Sequence, residues 1–343
     1  MPDECRQWHA TLDVMEGAGF SGAVLLEHDG ETVFLRCCGL ADRQASVPVS
    51  TSTVFDIGSV TKTFTATAIL KLAATGALSV EQRLAELLPE VPSGKAEITI
   101  HQLLTHSAGL ADFLAAGGER LEEYAPDLDY EQVSRDELLE RIWRFRLLGP
   151  PGGVWSYSNT GYSLLAAIIE QVSGLSYESF LRGEVLQPLG MLHTGYYLPD
   201  WSDVCLAQGY IGERSWGRTI DKPRSADSHY WMVRGNGGLL SNLEDLRRWQ
   251  GVLHGKLFSE SLVEHMLVPH VLISRENNIW QGYGWAIQQN GGEHMVYHNG
   301  SNEIFSATYR WFPKSHRLLV VLSNQADFPA FAIPRRLAAD GSG

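Results

Sequence analysis

Two hydrophobic periodicities divide the chain. Between Gly22 and Leu40, two short apolar and β-branched runs, Ala23-Val24-Leu25-Leu26-Glu27-His28 and Thr32-Val33-Phe34-Leu35-Arg36, flank Asp29-Gly30. Runs of this kind around an Asp-Gly pair predict a β-hairpin. Residues 8–18 and 59–75 instead space their apolar positions for a helix, and the second run stops at Gly76, a glycine suited to a helix end. From about 81 to 190 the pattern is mostly helical, most clearly from Thr160 to Val172, where Ser173-Gly174 ends it. Beyond the glycine-rich stretch Gly235 to Leu240, a helix from about 242 to 253 begins at the capping residue Asn242. Strand-like segments return at Tyr283 to Gln288, Met295 to His298, Phe305 to Phe312 and Leu318 to Asn324. The segment 328–339 reads as a last helix despite Pro334.

Strands at both ends and helices between them predict an α+β fold. The N-terminal hairpin is expected to join the late strands, whose short connections suit a meander, in one antiparallel sheet flanked by helices. A mostly helical lobe is inserted between them. On this reading residues 8–340 form one domain, with an α/β lobe from about 8–60 and 230–340 and a helical lobe over about 61–229. The acidic, glycine-containing segment from Asp112 to Asp136 reads as a surface excursion or lid. Gly17 to Gly22 matches G-x-G-x-x-G, but it follows a helix and precedes a strand, the reverse of a dinucleotide site, so it is a turn.

Composition narrows the function. The 343 residues are 44% hydrophobic and 20% charged, values of a globular protein. A net charge of −13, from 27 basic and 40 acidic residues, disfavours nucleic acid and anionic membrane surfaces as partners, since both are held by clustered Lys and Arg. No apolar run approaches the roughly 20 residues of a membrane span. The N-terminus, Met1-Pro2-Asp3-Glu4-Cys5-Arg6, has no basic region followed by an apolar stretch, which points to the cytoplasm. A periplasmic or secreted location requires a leader already removed. Cys5, Cys37, Cys38 and Cys205 contain no CxxC pair and read as free thiols.

The candidate chemistry begins at Ser59 and Lys62. One of only six lysines stands three residues after a serine at the start of a helical run. That spacing stacks the two side chains on one face. A serine hydroxyl needs a base to become a nucleophile, and a lysine made neutral by burial can serve. Chance nearly supplies such a pair, so a capping serine and a solvated lysine are the competing explanation. Tyr157-Ser158-Asn159 lies in a loop entering the helix at 160, a usual place for functional polar groups. A cation such as Lys62 near Tyr157 is expected to lower its pKa. A packed tyrosine with an asparagine cap is the plain alternative, and Tyr297/Asn299 repeats the pattern. His298-Asn299-Gly300-Ser301 ends a strand, and Gly300 permits close backbone approach. His28/Gly30 and His193/Gly195 share its spacing but lie in a hairpin turn and a loop. No G-x-S-x-G elbow and no HExxH pair occurs, so neither an α/β-hydrolase nor a zinc hydrolase is indicated.

In this order the motifs resemble the serine β-lactamase and penicillin-binding-protein superfamily, in its class C β-lactamase, D,D-carboxypeptidase and esterase branch. The resemblance runs from about Phe20 to Asn324. It includes Leu103-Leu104-Thr105-His106-Ser107-Ala108-Gly109-Leu110, the block from Pro151 to Gly174, Gln187-Pro188-Leu189-Gly190-Met191 and Gly237-Gly238-Leu239-Leu240-Ser241. It implies a β-lactamase/transpeptidase-like fold, Ser59 as the acylated nucleophile, and Lys62 and Tyr157 sharing general-base and general-acid work. It further implies Asn159, His298, Gly300 and Ser301 as substrate-binding residues, the backbone N–H groups of Ser59 and Ser301 as an oxyanion hole, and no cofactor or metal. His298 stands where many β-lactamases carry the lysine of Lys-Thr-Gly, which makes efficient β-lactam hydrolysis less expected. Ile304 replaces a usual glycine and is expected to narrow the site or reshape the strand exit. The expectation is a cofactor-free serine hydrolase acting on small esters or amides, first a carboxylesterase. A D-stereospecific peptidase or D,D-carboxypeptidase is the alternative, with a catalytically inactive scaffold as the non-enzyme rival.

Overall fold

The computed structural model describes residues 3–112, 132–222 and 231–339. The expected excursion from Asp112 to Asp136 lies largely outside them. Eight antiparallel strands form the main sheet: β1 (Gly22–His28), β2 (Glu31–Cys38), β3 (Val271–Ser274), β4 (Ile279–Gln281), β5 (Ala286–Asn290), β6 (Glu293–Ser301), β7 (Ser306–Phe312) and β8 (Arg317–Ser323). Their order is β2-β1-β8-β7-β6-β5-β4-β3. The hairpin turn is Asp29-Gly30, both at positive φ, the geometry whose twist matches the flanking strands. The hairpin joins the late strands directly, with Gly22 opposite Ser323 and His28 opposite Arg317, as the two-ended strand pattern predicts. The short strands β3, at the sheet edge, and β4 beside it are additions to that prediction. The expected strand at Tyr283 begins only at Ala286, because Gly282 to Trp285 form a turn.

Strand β1 is buried from Gly22 to Glu27 because both faces of the sheet are covered. Val24 and Leu26 pack beneath α1 (Asp3–Gly17) and the last helix, α5 (Ile333–Ala339), with Trp8, Leu12, Met15, Ile333 and Leu337. Ala23 and Leu25 belong to the larger core on the opposite face. That core extends into the helical lobe through α2 (Thr61–Ala74), α3 (Asn159–Ser173) and α4 (Leu243–Leu253). Gly174, at φ 71°, caps the C-terminus of α3, and Asn242 caps α4 by accepting from the Asp245 N–H. Both ends match the sequence punctuation. Cys37, Cys38 and Cys205 are free thiols.

Helix α2 is the axis of the molecule. Its small and apolar residues are buried nearly all round, from Thr61 through Leu70. A helix without a polar face belongs in an interior. Its threonines are tolerated there because their hydroxyls bond carbonyls: Thr63 to Val60 at 2.8 Å, Thr67 to Thr63 at 2.8 Å and Thr65 to Gly235 at 2.6 Å. Phe64 stacks on Trp249 of α4 with centroids 3.7 Å apart, which fixes the rotation of α2 and so the direction of Lys62.

Candidate active site

Ser59 sits in a single 3-10 turn, Gly58–Val60, at the head of α2. The turn is held from below. The buried Asp56 carboxylate accepts the Gly58 N–H at 2.7 Å, and its second oxygen accepts the Thr219 hydroxyl and the Asn302 amide, each at 3.0 Å. The Asn302 Oδ1 in turn accepts the Ile304 and Phe305 N–H groups at 3.1 and 2.7 Å. One carboxylate therefore ties the serine turn to the chain leaving β6.

Lys62 is fully buried one helical turn below Ser59. Its Nζ donates to Ser59 Oγ at 3.0 Å, Asn159 Oδ1 at 2.7 Å and the Asn236 carbonyl at 2.6 Å. Burial pulls its pKa down to about 7, against an opposing pull from the Asp112 carboxylate. The ammonium is disfavoured because the site strips its hydration. A neutral amine has two hydrogens and one lone pair. The Asn236 and Asn159 oxygens can only accept, so they take the two hydrogens. The lone pair is left for the Ser59 proton.

Tyr157 enters from the loop before α3. Ser158 caps that helix by accepting the Gly161 N–H at 3.1 Å. Asn159 is therefore not the cap, and its side chain is released toward Lys62. The Tyr157 hydroxyl hydrogen-bonds Ser59, and the Lys62 nitrogen lies 4.8 Å from the tyrosine ring. Contrary to the sequence expectation, the phenol pKa is raised, because burial outweighs the Ser59 hydrogen bond. The loop is shaped by His106. Its Nδ1 accepts the Ser158 N–H at 3.1 Å, its carbonyl accepts the Ser156 N–H at 2.8 Å, and its ring lies 4.6 Å from that of Tyr157. Burial holds this imidazole neutral.

Strand β6 reaches the serine turn through two glycines. A Cβ on Gly300 would lie 1.9 Å from the Ile57 carbonyl oxygen and 2.9 Å from the Ser59 nitrogen. One on Gly58, at φ 49°, would lie 2.4 Å from the Ser301 nitrogen. Only paired glycines allow the backbones of Ser59 and Ser301 to come so close.

His298 precedes this contact on β6. Its pKa is lowered to about 3, first by burial and then by Lys62, while its ring nitrogen Nδ1 lies 2.7 Å from the Asn299 carbonyl. A neutral ring donates Nδ1–H there and leaves Nε2 as an acceptor. The adjoining cleft, of about 410 Å³, is bounded by Ser59, Tyr157 and His298 and walled by Trp155, Ile273, Ile279, Ala286, Tyr297 and Phe331. Ile304 is not part of this wall. It is buried in the core against Gly209, where a Cβ would lie 2.6 Å from its side chain. The expectation that Ile304 narrows the site is thus corrected: the missing Cβ of Gly209 makes room for it away from the cleft.

The structure brings together Ser59, Lys62, Tyr157, Asn159, His298, Gly300 and Ser301, which span most of the sequence. The competing His28 and His193 spacings lie elsewhere: His28 ends β1 at the exposed hairpin turn, and His193 is held by its N–H to Asp245 at 2.7 Å. Sequence reasoning missed Asp56, His106, Asp112, Asn236 and Asn302. The signals available were the position of Asp56 in Phe55-Asp56-Ile57-Gly58-Ser59, of His106 inside the Leu103–Leu110 block and of Asn236 inside the glycine-rich stretch.

Comparison with known proteins accords with this geometry. The family model described as Beta-lactamase matches residues 12–342. The chain is 27% identical over 319 residues to a penicillin-binding protein of Bacillus subtilis, covering 90% of this chain and 69% of that protein. It is 34% identical over 182 residues to esterase EstB of Burkholderia gladioli, covering 51% of this chain and 46% of that protein. It spans 46% to 69% of the length of these and other curated relatives. A solved penicillin-binding protein of Bacillus halodurans superposes with a TM-score of 0.81 at 27% identity, covering 96% of this chain and 99% of that one. The fold is β-lactamase/transpeptidase-like, and the chain belongs to the Beta-lactamase family.

Proposed function

We propose that this protein is a serine hydrolase that forms an acyl-enzyme on Ser59 and that its substrates are small, uncharged esters. The observation that carries this reading is the three-point fixation of Lys62, which aims a lone pair at the Ser59 hydroxyl. Burial lowers the Lys62 pKa to about 7, which makes the neutral amine accessible in the physiological range. Ser59 Oγ attacks the acyl carbon as its proton passes to Lys62. The developing oxyanion is met by the Ser59 and Ser301 N–H groups. The neutral Tyr157 phenol gives its proton to the departing alkoxide and recovers one from Lys62. Water then hydrolyses the acyl-enzyme with the same groups reversed.

The cleft supports the ester preference. None of the described residues lining it is Lys, Arg, Asp or Glu, and His298 is neutral in the physiological range. A substrate carboxylate, as in a β-lactam or a peptide C-terminus, finds no fixed cation among the described residues of the cleft. The apolar wall suits an acyl or alcohol group, and the volume suits a small molecule. The similarity to esterase EstB agrees with this preference, whereas the similarity to penicillin-binding proteins keeps the peptidase as the alternative.

The test is a side-by-side assay of a short-chain p-nitrophenyl ester, a D-Ala-D-Ala peptide and a cephalosporin, with mass spectrometry for an adduct. The ester should have the highest kcat/KM, and Ser59→Ala should abolish both turnover and adduct. Full activity of Ser59→Ala, or no adduct on the wild type, overturns the mechanism. A higher kcat/KM for the peptide or cephalosporin overturns the substrate class.

A further inference from the structure

The Asn159 amide has two ends with opposite needs. Its Oδ1 accepts from Lys62 at 2.7 Å, and its Nδ2 donates to Asp112 Oδ2 at 3.0 Å. The backbone leading to Asp112 is itself pinned. The Leu148 N–H donates to the Gly109 carbonyl at 2.8 Å, and the Thr160 hydroxyl to the Ala111 carbonyl at 2.7 Å. The last bond ties Asp112's neighbour to the residue next to Asn159.

We propose that Asp112 is a positioning residue for the acyl-transfer reaction: its carboxylate locks the Asn159 amide in the one orientation that keeps the Lys62 lone pair on Ser59, and its charge sets the pH at which that lone pair becomes available. This inference rests on the Ser59–Lys62 mechanism above.

An amide has one acceptor end and one donor end, and either could face a neutral amine. If the Asn159 amide turned over, its NH₂ would donate to the Lys62 lone pair and compete with the Ser59 proton. Turning it over would also set Oδ1 against the Asp112 carboxylate, two acceptors with no proton between them. Asp112 therefore fixes the orientation whether Lys62 is charged or neutral, which Lys62 cannot do for itself.

The second effect is electrostatic. Among the described residues, the groups acting on Lys62 include the Tyr157 and Tyr162 rings, His106, His298 and Asp112. Both imidazoles are held neutral by burial, so among the described residues Asp112 is the anion opposing desolvation. It raises the Lys62 pKa. Removing its charge lowers that pKa, and activity that requires neutral Lys62 then persists to lower pH.

Two substitutions separate the effects. Asn at position 112 still offers an amide oxygen to Asn159 but no charge, and because its own amide can turn over it keeps the orientation only in part, whereas Ala offers neither. In Asp112→Asn the acid limb of the kcat/KM profile for a p-nitrophenyl ester should move to lower pH, with a gain of about threefold at pH 6 and a high-pH plateau that falls less than that of Asp112→Ala. In Asp112→Ala the limb should move likewise, and the plateau kcat should fall by about tenfold or more with little change in KM. Melting temperatures show whether each variant is folded, and mass spectrometry follows acylation of Ser59. An Asp112→Asn profile superimposable on that of the wild type overturns the electrostatic role. An Asp112→Ala plateau equal to that of Asp112→Asn overturns the positioning role. Absence of a Ser59 adduct in the wild type overturns the underlying mechanism, and this inference with it.

Discussion

Replacing Gly300 by alanine tests the active-site architecture most directly. The new Cβ would sit 1.9 Å from the Ile57 carbonyl oxygen. A carbon and an oxygen rest no closer than about 3.2 Å, so β6 and the serine turn must separate by about 1.3 Å. That is enough to remove the Ser301 N–H from an oxyanion held by the Ser59 N–H. Loss of one such donor costs about 10²–10³ in kcat, or roughly 2.7–4 kcal/mol. The expectation is a fall of that size in kcat for a p-nitrophenyl ester, with a smaller change in KM because the apolar cleft wall is untouched. Gly292→Ala is the matched control. Its φ of 106° strains any side chain, yet the nearest atom to its Cβ would be Lys314 Nζ at 3.8 Å. It should lower the melting temperature and leave kcat alone. If Gly300→Ala retains kcat within about threefold while folded, the paired-glycine contact does not build the oxyanion hole.

Tyr157→Phe should reduce kcat by about 10²-fold or more without moving the acid limb near pH 7, since that limb belongs to Lys62; a shifted limb would assign the base to tyrosine instead. His298→Lys should lower KM for a cephalosporin or a D-Ala-D-Ala peptide, by placing a cation where a substrate carboxylate lies, and leave KM for a neutral ester nearly unchanged; equal effects on all three would remove His298 from substrate discrimination. His101 and His265 share the Tyr283 hydroxyl at 2.8 and 3.3 Å, and His270 stacks on the Tyr283 ring. Burial lowers the His270 pKa to about 4 and lowers that of His101. The folded state therefore resists protons that the unfolded chain accepts below about pH 6.5, so stability should be complete above that pH and decline toward pH 4. Thermal melts of wild type and His270→Phe should converge at low pH if this holds, and parallel curves would refute it.

Much of this was legible in the sequence because it is local. The Asp29-Gly30 hairpin, the end of α3 at Gly174 and the Asn242 cap each follow from residues within one turn. Ser59 and Lys62 meet because helical spacing makes them meet. What escaped is set by distant contacts. Asp56 acts through Asn302, 246 residues away, and Lys62 meets Asn236 at a separation of 174 residues. No spacing rule reaches that far. The direction of the Tyr157 pKa was misjudged for a related reason: a neighbouring cation can be guessed from sequence, but the competing burial becomes visible only in three dimensions. Of the two effects expected of Ile304, narrowing of the site fails because its packing partner, Gly209, lies on a separate strand.

The antiparallel pairing of Gly22 with Ser323 has a consequence for how the protein is made. The ribosome delivers Ser59 and Lys62 early, but β6, which faces them, and β8, which pairs with β1 and so closes the sheet, emerge only about 240 to 260 residues later. Until then β1 waits with one edge unmatched, and Ser59 has no Gly300-Ser301 backbone beside it. Local helices can form during synthesis, whereas this long-range closure comes last. The nascent chain thus carries Ser59 without its facing strand, and the proposed acyl-transfer site is assembled only with the completed fold.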